Sequence, residues 1–260
     1  MLSGISIAAI ASHSALDVFD GAKDYKFKTI AICQKGRETP YTRFPVVDVA
    51  LILEKFKDLL KEKVQLRLMG YGAVIIPNRS MAVYVGYDGI EKDLKIPVYG
   101  NKKLLRWEER VGEKNYYKLL DEAGIRRPRT YSDSSEVDGP VMVKMPEAAR
   151  KVERGFFVAA DGKDLEEKME RLKEKGVISD ESVKEMSIEE LVLGAHFNLN
   201  YFYSVMRDRL ELLSVDRRIQ SNLDGVLRLT ARDQLDIDPV VRMIEVGHVA
   251  VTIRESLLEK

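Results

Sequence analysis

The run "ISIAAIA" at 5–11 is apolar at consecutive rather than alternate positions and is built from β-branched residues and alanine. A strand of that kind is buried on both faces, the position of an inner strand in a parallel sheet. Parallel strands cannot be joined by tight turns and need a crossover. The next residues supply one. Leu16, Val18, Phe19 and Ala22 keep one face of a helix expected over 14–24, Ser12 or Ser14 can cap it, and "KTIAIC" at 28–33 returns as a second buried strand.

The alternation continues with strand 46–53, helix 54–69, strand 73–77 and strand 96–99, so the first hundred residues read as an α/β domain with a largely parallel sheet. Ligands of such sheets bind at the carboxyl edge, where helix N-termini attract anions. Two polar segments stand there, "SHS" at 12–14 and "NRS" at 78–80, and both can line one crevice. His13 reads either as a loop residue bonding local backbone or as a ligand contact; the sequence leaves both open. No Gly-x-Gly-x-x-Gly follows the first strand, which argues against a dinucleotide site.

Charge narrows the partners. Lys plus Arg and Asp plus Glu number 42 each, so no net field draws the chain to nucleic acid or to an anionic membrane. The single cysteine, Cys33, excludes an internal disulfide and a cysteine-rich zinc module and suits a reducing cytoplasm. No run reaches the length of a membrane span, and no basic segment leads into a cleavage site, so neither a span nor a signal peptide is expected.

Beyond residue 100, "NKKLLRWEERVGEKNYYKLLDEAGIRRP" reads as helical, stopped by Gly124 and Pro128, with Trp107 as a packing anchor. "GPVMVKMPEAARKVERGFFVAA" reads as two strands around a polar connection and 161–176 as an amphipathic helix. "IEELVLGAHFNLNYFYS" and "RLELLSVDRRIQS" read as longer strands of an antiparallel sheet. A lysine that closes a strand, as Lys144 does, can place its ammonium over nucleotide phosphates while the loop behind it closes on them. On a generic hairpin the same lysine is a solvated surface charge.

The order of features says more than any one of them. Lys114 precedes a helix ending in "DEAGIRRP"; Lys144, the loop to Arg154 and Gly155, a helix and "EELVLG" at 189–194 follow. That order resembles the ATP-grasp fold. Together with "SHSAL", "FKTIAICQKGRE", "RFPVVDVALIL", "IPVYGNKKLLRWEE", "YFYSVMRDRLELLSVDRR" and "SNLDG", the chain resembles the archaeal formate-dependent phosphoribosylaminoimidazolecarboxamide ligases, the FAICAR synthetases, over essentially its whole length.

The resemblance implies an α/β protein: a parallel-sheet, ribotide-binding domain over 1–100, then an ATP-grasp region of α+β type over 101–260, with the family's C-terminal part missing after Lys260. It implies an ATP-dependent carbon-nitrogen ligase of purine (IMP) biosynthesis that formylates the ribonucleotide AICAR with formate through formyl phosphate. Carried over by motif, His13, Ser80 and Asn222 contact AICAR, Lys114, Lys144, Arg154, Gly155 and Glu190 belong to the ATP site, and Arg217 is the catalytic anion contact. ATP and Mg²⁺ are the implied cofactors, the Mg²⁺ ligands falling beyond Lys260; Glu211 reads as an ordinary strand carboxylate. A cytoplasmic homo-oligomer is implied as well. The loop "PEAARKVERGFF" departs from the family's glycine-rich pattern, leaving Arg150, Lys151 and Arg154 to act by side-chain charge. That departure keeps an alternative open: a catalytically lapsed paralogue that binds a purine ribotide in a regulatory or assembly role. An unrelated carboxylate-amine ligase of the same fold is the third reading.

Overall fold

The computed structural model of the chain describes residues 4–12, 14–108, 113–144, 156–184, 186–237 and 240–257, the side chains of 181–182, 220, 243–246 and 255 excepted. The chain forms two compact units, Met1–Arg127 and Pro128–Lys260.

The first unit is built on β1 (Ser6–Ile10), α1 (Ala15–Asp24), β2 (Lys28–Gln34), α2 (Thr39–Arg43), β3 (Val49–Leu53), α3 (Glu62–Gly70), β4 (Ala73–Ile75), α4 (Arg79–Val85) and α5 (Tyr116–Glu122). Its strands form one parallel sheet in the order β3-β2-β1-β4. Ala8 of β1 lies in register with Ile30 on one side and Ile75 on the other. The consecutive apolar residues divide between two cores, as a doubly covered sheet requires. Ile10, Ile30, Ile32, Leu68, Ile75 and Met81 pack on one face. Ala9, Ala11, Phe19, Ala31 and Cys33 pack on the other. Each fully buried Ile or Phe contributes about 1.5–3 kcal/mol of apolar transfer. Burial pushes the Cys33 thiol up to about 12, with Glu38 adding to the effect.

Three elements differ from the sequence reading. The helix expected over 54–69 is a 3₁₀ turn, Phe56–Leu60, followed by α3, with Lys61 extended between them (φ −66°, ψ 132°). Asp58 draws the chain into that turn, accepting from the Lys55 amide at 3.3 Å and pairing with Lys61 Nζ at 2.8 Å, while Phe56 and Leu59 are buried. The strand expected over 96–99 is a single parallel bridge, Ile75 to Val98; Pro97 has no N–H to lengthen the ladder. The helix expected from 101 is a 3₁₀ turn, Lys102–Glu108, and then α5, after which Gly124 adopts φ +66°. Leu105 packs on the first core, and Arg106 bonds Glu91 at 3.0 Å and Asp88 at 2.6 Å. The first unit therefore runs to Arg127, past the boundary expected at residue 100.

The second unit contains β5 (Thr130–Tyr131), β6 (Val141–Lys144), β7 (Phe156–Ala159), α6 (Gly162–Glu174), α7 (Asp180–Lys184), β8 (Ser187–Glu190), β9 (Asn198–Ser204), β10 (Arg209–Ser221), α8 (Leu223–Val226), α9 (Ala231–Leu235) and β11 (Met243–Ala250). One antiparallel sheet runs β5-β8-β6-β7 and a second runs β11-β10-β9. Helix α6 covers one face of the first of these sheets through Leu165, against Val141, Val143, Ala159 and Ile188. Met142, Phe156 and Val158 project from its other face and meet Leu223 and Leu227. Among the described residues no helix is long and apolar enough to cross a membrane.

Candidate functional site

In the first unit the chain steps outward from β1 to β2 and β3, then returns to place β4 on β1's other flank. The carboxyl ends of β1 and β4 thus flank the point where strand order reverses, the position at which open parallel sheets bind ligands. Side chains sew the two edges together. Asn78 Nδ2 donates to the Ile10 carbonyl at 3.0 Å, and its Oδ1 caps α4 by accepting from the Met81 amide at 3.1 Å. Ser80 Oγ donates to Ser12 Oγ at 2.9 Å, with both serines buried. Ser80 thus ties the two polar segments together at this edge of the sheet.

The capping expected of α1 takes another form. Ser14 holds the N-cap position without a side-chain cap bond, and the Ser12 hydroxyl is committed to Ser80. The Ser12 carbonyl accepts from the Ala15 amide at 3.1 Å instead. His13 lies outside the described residues. Arg79 reaches Glu108 at 3.6 Å. Lys114 is an exposed residue of this same unit and adds to the pull of Arg106 that holds the Glu91 carboxyl below its usual range.

The nucleotide candidates Lys144 and Glu190 belong to the second unit. Lys144 closes β6 on the face that carries Met142, away from α6, and its ammonium pairs with the Glu189 carboxylate. Glu189 is 2% exposed at its side chain and also accepts from Ser187 Oγ at 2.9 Å. Glu190, one residue on, points to the opposite face of its strand. Its carboxylate accepts from the Arg129 amide at 3.1 Å, and it lines a cavity of about 390 Å³ together with Tyr131, Asp138, Leu191 and Leu193. The carboxylate beside Lys144 is therefore Glu189, which the sequence reading did not single out; "EE" offers no local signal for which of the two shares a face with a lysine 45 positions away. Arg154 and Gly155 lie outside the described residues.

The "SNLDG" segment forms a tight turn between β10 and α8. Asn222 spends its side chain on backbone, donating to the Val240 carbonyl and accepting from the Arg242 amide, both at 2.8 Å. Arg217 Nη2 donates to the Asp224 carbonyl at 3.1 Å. Arg217 and Asn222 thus brace this turn. Among the described residues no group of three or more His, Cys, Asp or Glu side chains gathers to hold a metal ion.

Two antiparallel sheets in one unit, with a strand-closing lysine over a buried carboxylate, define the ATP-grasp class of fold. The computed structure matches the crystal structure of an IMP biosynthesis protein from Thermococcus kodakaraensis with a TM-score of 0.68 and 27% identity, covering 97% of this chain and 70% of that one. It also matches an ADP complex of N5-carboxyaminoimidazole ribonucleotide synthetase with a TM-score of 0.56 over 95% of this chain and 71% of that one; at 13% identity this likeness is one of fold. Residues 7–131 match a family described as "Protein of unknown function (DUF1246)", and residues 164–260 match one described as "Domain of unknown function (DUF1297)".

Among curated relatives, the 5-formaminoimidazole-4-carboxamide-1-(beta)-D-ribofuranosyl 5'-monophosphate synthetase of Methanothermobacter thermautotrophicus is 44% identical over 98% of this chain and 69% of its own length. The synthetase of that name from Methanopyrus kandleri is 42% identical over 99% of this chain and 70% of its own. The chain belongs to this synthetase family.

Proposed function

We propose that the chain is an ATP-dependent ligase that formylates AICAR with formate in IMP biosynthesis. The observation that carries this reading is that similarity to the synthetases extends over 98% of the chain, through both compact units. The serine-lined switch point and the lysine-bearing sheet face thus occur together in one polypeptide of that family.

Formate is a poor electrophile, so the reaction must first give it a leaving group. A formate oxygen attacks the γ-phosphorus of ATP; the new O–P bond forms as the bond to the bridging oxygen breaks, and ADP leaves. The exocyclic amine of the ribotide then attacks the formyl carbon, the C–N bond forms, phosphate leaves, and the amine gives up one proton. Lys144 neutralises charge on the transferred phosphoryl group, and the crevice between β1 and β4 holds the ribotide through Ser80 and His13. By the family resemblance Lys114, Arg154, Gly155 and Glu190 belong to the ATP site in this reading, Asn222 contacts AICAR and Arg217 is the catalytic anion contact. Mg²⁺ supplies charge neutralisation at the phosphates when bound. A homo-oligomeric state and a cytoplasmic location go with the reading, and sedimentation of the purified chain tests the first.

Incubating the chain with ATP, magnesium, AICAR and [¹⁴C]formate tests the activity. Label in FAICAR that requires all components supports the proposal. AICAR binding without ATP binding or label transfer contradicts it.

A further inference from the structure

The second step of the formylation leaves a proton to be placed. The amine sheds one as its nitrogen bonds the formyl carbon, and the phosphate that departs takes one up. A single general base that accepts the first and delivers the second serves both. Near neutral pH the side chain suited to that task is an imidazole with one open nitrogen.

The sheet of β9, β10 and β11 carries such a group. Asp216 and Arg218 of β10 share a face. Asp216 is in register with Asn198 of β9, and Arg218 with His248 of β11. The Asp216 carboxylate accepts from Asn198 Nδ2 at 3.0 Å, from Asn200 Nδ2 and from His248 Nδ1. Two amides already satisfy this largely buried carboxylate, so the imidazole is not needed to keep it in place. What the contact does is orient the ring: a carboxylate on Nδ1 holds the proton there and leaves the lone pair on Nε2. The His248 side chain is 57% exposed, so Nε2 is open to a ligand that donates. His196 is arranged the other way. Its Nε2 meets the Val192 carbonyl at 3.0 Å and therefore carries the proton.

The dyad belongs to the unit of Lys144. Met142 and Phe156, on the face where Lys144 closes β6, pack with Leu223 and Leu227 of the α8 turn, which begins where β10 ends.

We infer that His248, oriented by Asp216, is the general base of the amine step; the inference rests on the formylation reading. As the C–N bond forms, an amine proton passes to His248 Nε2. As the C–O bond to phosphate breaks, the imidazolium gives that proton to the leaving phosphate and returns to its neutral form. Asp216 is a positioning residue that keeps Nδ1 protonated and balances the transient cation, as the aspartate of a hydrolase triad does.

Hydroxylamine, a strong nucleophile, traps formyl phosphate as formohydroxamate without a base. Supplying ATP, magnesium and formate with either hydroxylamine or AICAR therefore separates the two halves of the reaction. His248→Gln should lower the kcat for FAICAR about a hundredfold or more, with the KM values and the rate of formohydroxamate formation within about twofold of wild type. Added imidazole should restore FAICAR formation in His248→Ala. In Asp216→Asn the ¹⁵N shifts of His248 should change from an Nδ1-protonated ring to a mixture of tautomers, with a loss confined to the amine step. FAICAR formation in His248→Gln within about threefold of wild type, or equal losses of FAICAR and formohydroxamate, overturns the assignment. Wild type that makes neither product overturns the formylation reading and the base with it, whereas active wild type with an equally active His248→Gln overturns the base alone.

Discussion

Lys144 on β6 and Glu189 on β8 form a diagonal ion pair on one sheet face, with the Glu189 side chain 2% exposed and that of Lys144 23% exposed. The pair explains how a carboxylate is tolerated inside this unit: the ammonium and the Ser187 hydroxyl satisfy it. It also gives Lys144 a structural duty in addition to its proposed one. Removing one partner of a buried pair leaves an uncompensated charge, at a cost of about 3–5 kcal/mol. Lys144→Met therefore melts well below wild type, and adding Glu189→Gln recovers most of the loss. Thermal unfolding of the three proteins checks this; equal melting of the single and double variants contradicts it.

Asn78 has two tasks, holding the β1 edge through Ile10 and capping α4 through Met81. Loss of a helix N-cap alone costs about 1 kcal/mol, within a range of roughly 0.5–2. Asn78→Ala should exceed that by the lost interstrand bond, and it should weaken AICAR binding because the two sides of the crevice are no longer tied. Calorimetric titration with AICAR, alongside a melting curve, measures both effects.

The side-chain amide of Asn198, with His248 and the amide of Asn200, holds the Asp216 carboxyl down to about 2 from its ordinary value of 3.8. A depressed carboxyl stabilises the fold above its unfolded value, and that contribution is lost as pH falls through the folded one. The contribution is complete above about pH 4 and disappears toward about pH 2. Asp216→Asn should flatten the acid limb of the stability curve in that window and leave its slope at neutral pH unchanged. Far-UV circular dichroism during acid titration gives the comparison.

Cys33 sits at 0% exposure with its thiol pushed up to about 12. At pH 8 roughly one thiol in ten thousand is then ionised, and the thiolate is the reactive form. Native protein should react with a disulfide reagent only at the rate of unfolding, and denatured protein at once. Rapid labelling of the native chain would show that the second face of the first sheet is not packed as described.

The inner strands β1 and β2 were legible because burial on both faces removes alternation, and alternation is what distinguishes a half-exposed strand. The switch point was legible too, since Ser12, Asn78 and Ser80 directly follow strands whose ends are easy to place. The break at Lys61 was hidden because neither glycine nor proline marks it; the side chain of Asp58 and the burial of Phe56 and Leu59 decide it. The pairing of Lys144 with Glu189 rather than Glu190 depends on strand register, which no local pattern records. The meeting of Asp216 with His248, 32 residues apart on adjacent strands, was hidden for the same reason.

The proposed function requires two independent binding sites, a nucleotide face on the sheet of Lys144 and a ribotide site at Ser80 and His13. Calorimetric titration of MgATP and of AICAR into wild type, Lys144→Met/Glu189→Gln and Ser80→Ala tests that directly. The lysine variant should lose ATP affinity by about tenfold or more with AICAR affinity nearly unchanged, and the serine variant should do the reverse. Equal losses of both ligands in both variants would contradict it.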